Sequence, residues 1–465
     1  MFSWPLNKKD TTSIQLTDLN RHQDIGANCL LLKMGPFTVV VDAGLHPKKT
    51  GHKSTPDFSK IDDFSVDYIC ITHCHLDHIG SLPILARTQP QAKIILTSPS
   101  KEILPRMLNN SHSVMLRQRE ELGINEYPLY TRTEIEYLEQ RYFPLLFQKP
   151  HVFEKNGEKL EITLYSAGHI LGACGFLFKY KHRSLFVTGD VLFRNQKTLK
   201  GASFPKIKVD TLVMETTRGL TETADATADD EMRRLVDVIN HTLDRGGSCL
   251  IPVFALGRMQ EILFILHEAR RNKKLKNAPI FCSGLGVSLI EVFDEVSRKT
   301  GLVNFHKKIL QDLNAKPLPK ETYEGGTLPD KPSIYVVSSG MVIENTPSYM
   351  VAAALLGSKQ NSICFVGYCD PETPGGKLLV CEHNEPFFFE TIPTEIHARA
   401  AIERFELSGH ANREELLQLV YDMDPRTVVL YHGDEEAREW VFDELVDQHP
   451  NLQVINPTPG DPVAL

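Results

Sequence analysis

Four absences narrow what this chain of 465 residues can be. Nowhere do about 18 apolar residues run uninterrupted, the minimum for a helix that crosses a bilayer. The first ten residues, Met1 to Asp10, contain no apolar segment of signal-peptide length, which argues against secretion. None of the nine cysteines stands in a pair at the spacing of a zinc ribbon or a redox motif; they fall singly, mostly inside apolar runs (Cys29, Cys70, Cys249, Cys282, Cys364). Buried, reduced thiols in a reducing compartment follow, so the expected location is cytoplasmic, with no membrane partner. There is no surplus of positive charge, since 51 lysines and arginines face 59 acidic residues for a net charge of -8. Coating of nucleic acid or of an anionic membrane by bulk charge is thereby disfavoured, and a polyanion would have to be met by a local basic cleft. Repeats and low-complexity segments are missing as well.

What is present is an ordinary globular composition, 42% hydrophobic and 24% charged. Single cores stop growing near about 250 to 300 residues, so the length predicts two compact domains, one of them inserted into the other. Short β-branched runs alternate with stretches of helical period, an α/β pattern. Strands are predicted at Asn28–Met34, Phe37–Val41, Asp67–Thr72, Ala92–Thr97, Leu160–Ser166, Ser184–Thr188, Thr211–Met214 and Thr427–Tyr431, with a helical excursion from Ser98 to Arg141. A second α/β block begins after Glu215. There a helix with Met232, Leu235, Val236, Ile239 and Leu243 on one face leads to strands at Cys249–Phe254, Ile280–Ser283, Ile334–Ser338 and Ile363–Tyr368. That order of elements describes a doubly wound unit. Lys316 to Pro332, with four prolines and two glycines, reads as a surface loop inside it.

The strongest chemical signal is Thr72-His73-Cys74-His75-Leu76-Asp77-His78-Ile79-Gly80, four metal-ligating side chains in six residues directly after an apolar strand. Imidazole and carboxylate are the ligands that borderline divalent metals such as zinc prefer, and using all four calls for two ions. Further acids and imidazoles stand at the ends of other apolar runs: Asp42, His169, Asp190 and His432. Ligands of α/β folds bind outside the carboxyl ends of strands, so five such ends delivering His or Asp predict one site.

These motifs resemble those of the metallo-β-lactamase superfamily, and specifically its β-CASP nucleic-acid nucleases, along nearly the whole chain. The HxHxDH signature corresponds to His73, His75, Asp77 and His78, with Asp42 before it, His169 as the third-motif histidine and Asp190 as the bridging aspartate. Glu215 matches motif A, His410 in Ser408–Asn412 motif B, and His432 in Tyr431–Asp434 motif C. The resemblance implies an αββα sandwich over residues 1–219 and 398–465, with a doubly wound β-CASP domain inserted over 220–397. It implies two zinc ions, one on His73, His75 and His169, the other on Asp77, His78 and His432, joined by Asp190 and supported by Asp42. It further implies hydrolysis of RNA phosphodiester bonds to 5′-phosphate and 3′-hydroxyl ends, with His410 as general acid oriented by Glu215. Histidine at motif C favours RNA over DNA, because the DNA-directed members tend to carry valine there. Endonucleolytic cutting is the leading expectation, a 5′-3′ exoribonuclease or DNA nuclease on the same site the alternative, and a small-molecule ester or thioester hydrolase the remote one.

Two positions depart from the family pattern. Motif A usually continues with tyrosine before its glycine, where this chain has Arg218, and motif B usually has an acid where Asn412 stands. Substrate phosphates are assigned to Arg258, at the start of a helix, and to Ser338 and Ser339. The basic run Arg271 to Lys276 reads as a solvated helix end rather than an RNA guide. Gly375-Gly376-Lys377 is followed by Leu378 in place of the Ser or Thr a phosphate loop needs, which removes a nucleotide site there. Single-stranded RNA is the expected partner, with a homodimer or partner subunits as further expectations.

Overall fold

A computed structural model describes residues 14–465, so the reading of the first ten residues lies outside the described part. The chain divides into two units. The first comprises the described residues up to Arg194, then Gly201–Thr223 and His410–Leu465; the second comprises Asn195–Lys200 and Ala224–Gly409.

Strict alternation of side chains builds the first unit, because successive residues of a strand point to opposite faces. Leu30, Leu32 and Met34 of strand Leu30–Met34 and Phe37, Val39 and Val41 of strand Phe37–Val41 point into one shared core. They meet there Leu160, Ile162 and Leu164, Phe176 and Phe178, and Leu185 and Val187, which come from the second sheet. The first sheet runs Pro462–Ala464, Ile14–Asp18, Leu30–Met34, Phe37–Val41, Tyr68–Cys70, Lys93–Thr97, Tyr142–Leu145. The second runs Gln453–Ile455, Thr427–Tyr431, Thr211–Glu215, Arg183–Val187, Cys174–Tyr180, Glu158–Ser166, His151–Lys155. Phe176 and Phe178 are both fully buried, and truncating either to alanine would cost about 3–5 kcal/mol. The other face of the second sheet, through Leu177, Phe186, Leu212 and Met214, packs on helices Arg413–Met423 and Glu435–Gln448. With helix Ser98–Leu122 against the first sheet, the layers are helix, sheet, sheet, helix.

The placement of the strand ends is set by connection type. Phe37–Val41, Tyr68–Cys70 and Lys93–Thr97 are mutually parallel, and so are Arg183–Val187, Thr211–Glu215 and Thr427–Tyr431. Their carboxyl ends therefore open on one edge of each sheet, where Asp42, Thr72, Glu215 and His432 follow.

The second unit holds a six-stranded, all-parallel sheet in the order Ala315–Pro317, Ile280–Cys282, Ile334–Val337, Cys249–Pro252, Ser362–Phe365, Ala401–Arg404. Strands lie on both sides of the first, Cys249–Pro252, with Ile334–Val337, Ile280–Cys282 and Ala315–Pro317 to one side and Ser362–Phe365 and Ala401–Arg404 to the other, which makes it doubly wound. The division into units differs from the bounds expected from the sequence at two places. Strand Ala401–Arg404 belongs to this sheet, and the chain rejoins the first unit at His410 rather than 398; its short, half-polar Ala-Ile-Glu-Arg run carries no strand signal by composition. Asn195–Lys200 also belongs to the second unit. The proline-rich segment from Lys316 is more ordered than a loop: Ala315–Pro317 is an edge strand, where a proline is tolerated, and helix Lys320–Gly325 starts after Pro319 and stops at Gly326 in the left-handed region. The nine cysteines are all free, and seven of them are buried. No helix among the described residues is long and apolar enough to cross a membrane.

Candidate metal centre

The turn after strand Tyr68–Cys70 is held from below by one carboxylate. Asp42 sits in the left-handed region at φ 62°, a conformation that Asp tolerates better than most residues. It accepts from Thr72 N at 2.8 Å, from the Thr72 hydroxyl at 2.7 Å and from His78 Nδ1 at 2.7 Å. His78 is thereby fixed with Nε2 turned to the far side. The preceding segment zips onto the same turn, with Ala43 N donating to the His78 carbonyl at 2.7 Å and Leu45 N to the Leu76 carbonyl at 2.8 Å. Gly44 allows that approach: a Cβ there would lie 1.7 Å from the Asp77 carbonyl oxygen.

Two groups of ligand atoms result. In the first, His73 Nε2 and His169 Nε2 each stand 3.2 Å from His75 Nδ1, and Asp190 Oδ2 lies 3.5 Å from His73 and 3.6 Å from His169. In the second, His78 Nε2 is 3.2 Å from His432 Nε2, and Asp77 Oδ2 is 3.3 Å from His432 and 3.6 Å from His78. Asp190 Oδ1, 3.4 Å from His78 Nε2, faces the second group while its other oxygen faces the first. His432, at φ 48°, is oriented by Thr217, whose hydroxyl meets its Nδ1 at 2.8 Å.

Within each group, ring nitrogens of different histidines converge to 3.2 Å of one another, and their lone pairs suit a shared cation. Burial, and then His78 and the other neighbouring histidines, hold His73 well below the usual imidazole range, so it is neutral, the ligand form. Asp190 Oδ1 is buried without a hydrogen-bond partner, an orphaned acceptor where the two groups meet. Burial raises the Asp190 carboxyl; Asp77 is lowered despite its burial, because His78 and His432 outweigh it. Burial pulls His78 down, yet the carboxylates of Asp190, Asp77 and Asp42 push it up to about 10. The donor set fits two divalent cations with Asp190 between them.

Glu215, fully buried at the end of strand Thr211–Glu215, stands 3.0 and 3.1 Å from His410 Nδ1 through its two carboxylate oxygens. Its Oε1 also accepts from Val191 N at 2.6 Å, so the same carboxylate pins the segment that carries Asp190. Burial lowers the affinity of His410 for a proton, but Glu215 and Asp190 raise it above the ordinary value, with Arg218 working against them. Glu215 is lowered in turn, His410 overcoming the burial that would raise it.

Every predicted metal residue, with Asp42, Glu215 and His410, converges in the first unit. Arg258, Ser338 and Ser339 lie in the second. Arg258 is buried instead of presenting a cation, its guanidinium donating to the Leu407 carbonyl at 2.8 Å and to Gln196. Ser338 N donates to the Ser283 hydroxyl at 2.9 Å, and Ser339 Oγ accepts from Ile343 N at 3.0 Å. The two departures from the family pattern have local explanations. Asn412 caps helix Arg413–Met423, accepting from Glu415 N at 2.9 Å, and Arg218 is buried with its Nη1 3.4 Å from the His410 carbonyl. Sequence reasoning missed Thr72, Thr217 and Asn28, whose amide reaches the Asp77 carbonyl at 3.1 Å. The two threonines adjoin recognised motifs, a usable signal; Asn28 carries none.

Three family profiles match consecutive blocks of the chain. They are the metallo-β-lactamase superfamily over residues 23–240, the β-CASP domain over 259–378 and the Zn-dependent metallo-hydrolase RNA specificity domain over 395–449. The chain is 26% identical over 469 residues to Cleavage and polyadenylation specificity factor subunit 3 of Dictyostelium discoideum, covering 98% of this chain and 58% of that protein. It is 27% identical over 468 residues to Integrator complex subunit 11 of Danio rerio, covering 96% and 73%. It is 29% identical over 467 residues to Endoribonuclease YSH1 of Eremothecium gossypii, covering 96% and 58%. The chain thus spans little more than half the length of two of these curated relatives. A crystal structure of a protein of unknown function from Enterococcus faecalis V583 shares the fold at a TM-score of 0.53 with 12% identity, over 98% of this chain and 100% of that one.

Proposed function

The chain belongs to the metallo-β-lactamase superfamily and carries its β-CASP domain, and from that premise we propose that it is a zinc-dependent endoribonuclease. One observation carries the reading: seven candidate ligands gather in two groups, with Asp190 in the first and 3.4 Å from His78 of the second, and with the Glu215–His410 pair beside Asp190. The names of the relatives, one an endoribonuclease, and histidine at position 432 support RNA as the polymer.

His73, His75 and His169 would hold one zinc, Asp77, His78 and His432 the other, and Asp190 both. When bound, the ions supply a water that loses its proton near neutral pH and positive charge against the scissile phosphate. Asp42 keeps His78 in the tautomer that coordinates, and Thr217 does so for His432. Glu215 holds His410 through Nδ1, so Nε2 is the atom that delivers a proton to the leaving 3′ oxygen, a role worth about 10² to 10⁴ in rate. The water oxygen stays on phosphorus, giving a 5′-phosphate and a 3′-hydroxyl. Single-stranded RNA is the substrate, partner subunits are favoured by relatives named as subunits of complexes, and the free cysteines favour a reducing, cytoplasmic setting.

The test is digestion of one sequence as RNA and as DNA, labelled internally or at the 5′ end, with and without chelator. Chelator-sensitive internal cuts in RNA are expected. Ordered loss from the 5′ end would replace the endonuclease with an exonuclease, and cleavage of DNA alone would overturn the substrate.

A further inference from the structure

We propose that the loop from Pro47 to Lys53 grips the phosphates of the RNA strand flanking the scissile bond, a proposal that rests on the ribonuclease reading above. The loop grows out of the metal centre. Ala43 and Leu45 are bonded to the turn that bears His75, Asp77 and His78, and Lys48 is only three residues beyond Leu45, so at most about 11 Å of chain separates them.

It is also a closed loop. His46 N donates to the Ser54 carbonyl at 2.7 Å and the Ser54 hydroxyl to the Gly51 carbonyl at 2.6 Å. His46 is itself buried, its Nε2 3.0 Å from Asp24 and its Nδ1 accepting from Lys48 N at 3.1 Å. Gly51, at φ 59°, lets His52 N reach Glu126 at 2.6 Å; a Cβ on Gly51 would fall 1.9 Å from that carboxylate.

On this frame Lys48, Lys49, Thr50, His52 and Lys53 are all exposed, and no acidic residue occurs from Ala43 to Pro56. Asp24 meets the buried His46 and also feels the Lys48 charge, and Glu126 accepts from the His52 amide. In a chain of net charge -8, three lysines on a braced loop at the foot of the ligand turn form the local basic surface that bulk composition does not provide. Lysine is a point charge without fixed donor geometry, so the surface reads backbone and not base.

The experiment compares wild type with K48A/K49A/K53A, its K48R/K49R/K53R counterpart, and R271A/K273A/K274A as a control of equal charge change on the solvated helix end. Single-stranded RNA cleavage and anisotropy-detected binding are followed from 50 to 500 mM salt. Each phosphate contact on a single strand adds about 0.7 to the salt slope, so the alanine variant loses about 2 from the slope of log affinity against log salt. Its KM rises about 10- to 100-fold at low salt with kcat retained, while the arginine variant and the control keep the wild-type slope. An unchanged slope and KM in the alanine variant, with wild type cutting RNA, overturns this inference and leaves the proposed function standing. A wild type that neither binds nor cuts RNA overturns both.

Discussion

Replacing Asp42 by asparagine isolates how much of the second metal position depends on one group outside it. The two side chains share a shape, and both tolerate the left-handed backbone found at this position, so the change is confined to hydrogen bonding. Asp42 receives three donors on two oxygens: Thr72 N on Oδ1, and the Thr72 hydroxyl with His78 Nδ1 on Oδ2. An amide has one oxygen. Whichever way it turns, its NH₂ faces a buried N–H, and an unmet buried donor costs about 1–3 kcal/mol. His78 also loses the charged acceptor that directs Nε2 toward Asp77 and His432. Losing such an outer partner weakens metal binding about 10- to 100-fold. Chelator-stripped D42N should therefore bind one zinc equivalent normally and the second 10- to 100-fold more weakly in competition with a chromophoric chelator. Two equivalents held with wild-type affinity would refute the argument, since His78 would then be oriented by something other than Asp42.

Four further outcomes are expected. In E215Q, His410 loses the carboxylate that keeps its proton on, so cleavage is retained at acidic pH and falls about 10- to 100-fold at alkaline pH, as loss of a charge-assisted hydrogen bond predicts; a uniform loss across pH would contradict the acid role. In ion-free protein His78, pushed up to about 10, carries a proton at neutral pH and must release it to coordinate, so zinc affinity tightens as pH rises toward 10; calorimetry in buffers of different ionisation enthalpy should register the released proton. H75A should lose one zinc equivalent by elemental analysis and turnover with it, and full activity with stoichiometric zinc would count against the ligand assignment. N412A removes a helix cap and should lower stability by about 1 kcal/mol in a denaturant melt without moving the pH profile, because His410 is oriented from Glu215 and not from Asn412.

Legibility in the sequence followed the range of the signal. Phe37–Val41 and Thr427–Tyr431 are observed at the predicted bounds, because unbroken β-branched runs ended by Asp42 and His432 leave no competing period. The convergence of the candidate ligand residues was legible because each lies on a segment that leaves the carboxyl end of a strand. The edge strand Ala401–Arg404 was not, since its pairing to Ser362–Phe365 is decided by tertiary contact and four residues carry no period. The surroundings of Arg258 were hidden for a related reason: a cation at a helix start looks the same in sequence whether it meets solvent or, as here, a carbonyl 149 positions away. The orienting threonines were signalled only by their place beside recognised motifs, because a hydroxyl has no spacing rule of its own.

The candidate ligands are gathered from positions 73 to 432, and between Asp190 and His432 lies the whole of the second unit. The first ligand group is complete in the nascent polypeptide once Asp190 has emerged, but the second waits for His432. At about 5–20 residues per second that interval lasts on the order of 10 to 50 s. Throughout it the emerging chain holds one set of candidate ligands and lacks the other, and His410 arrives only just before the last of them. Synthesis order thus delays completion of the paired groups until the sequence of both units has been read.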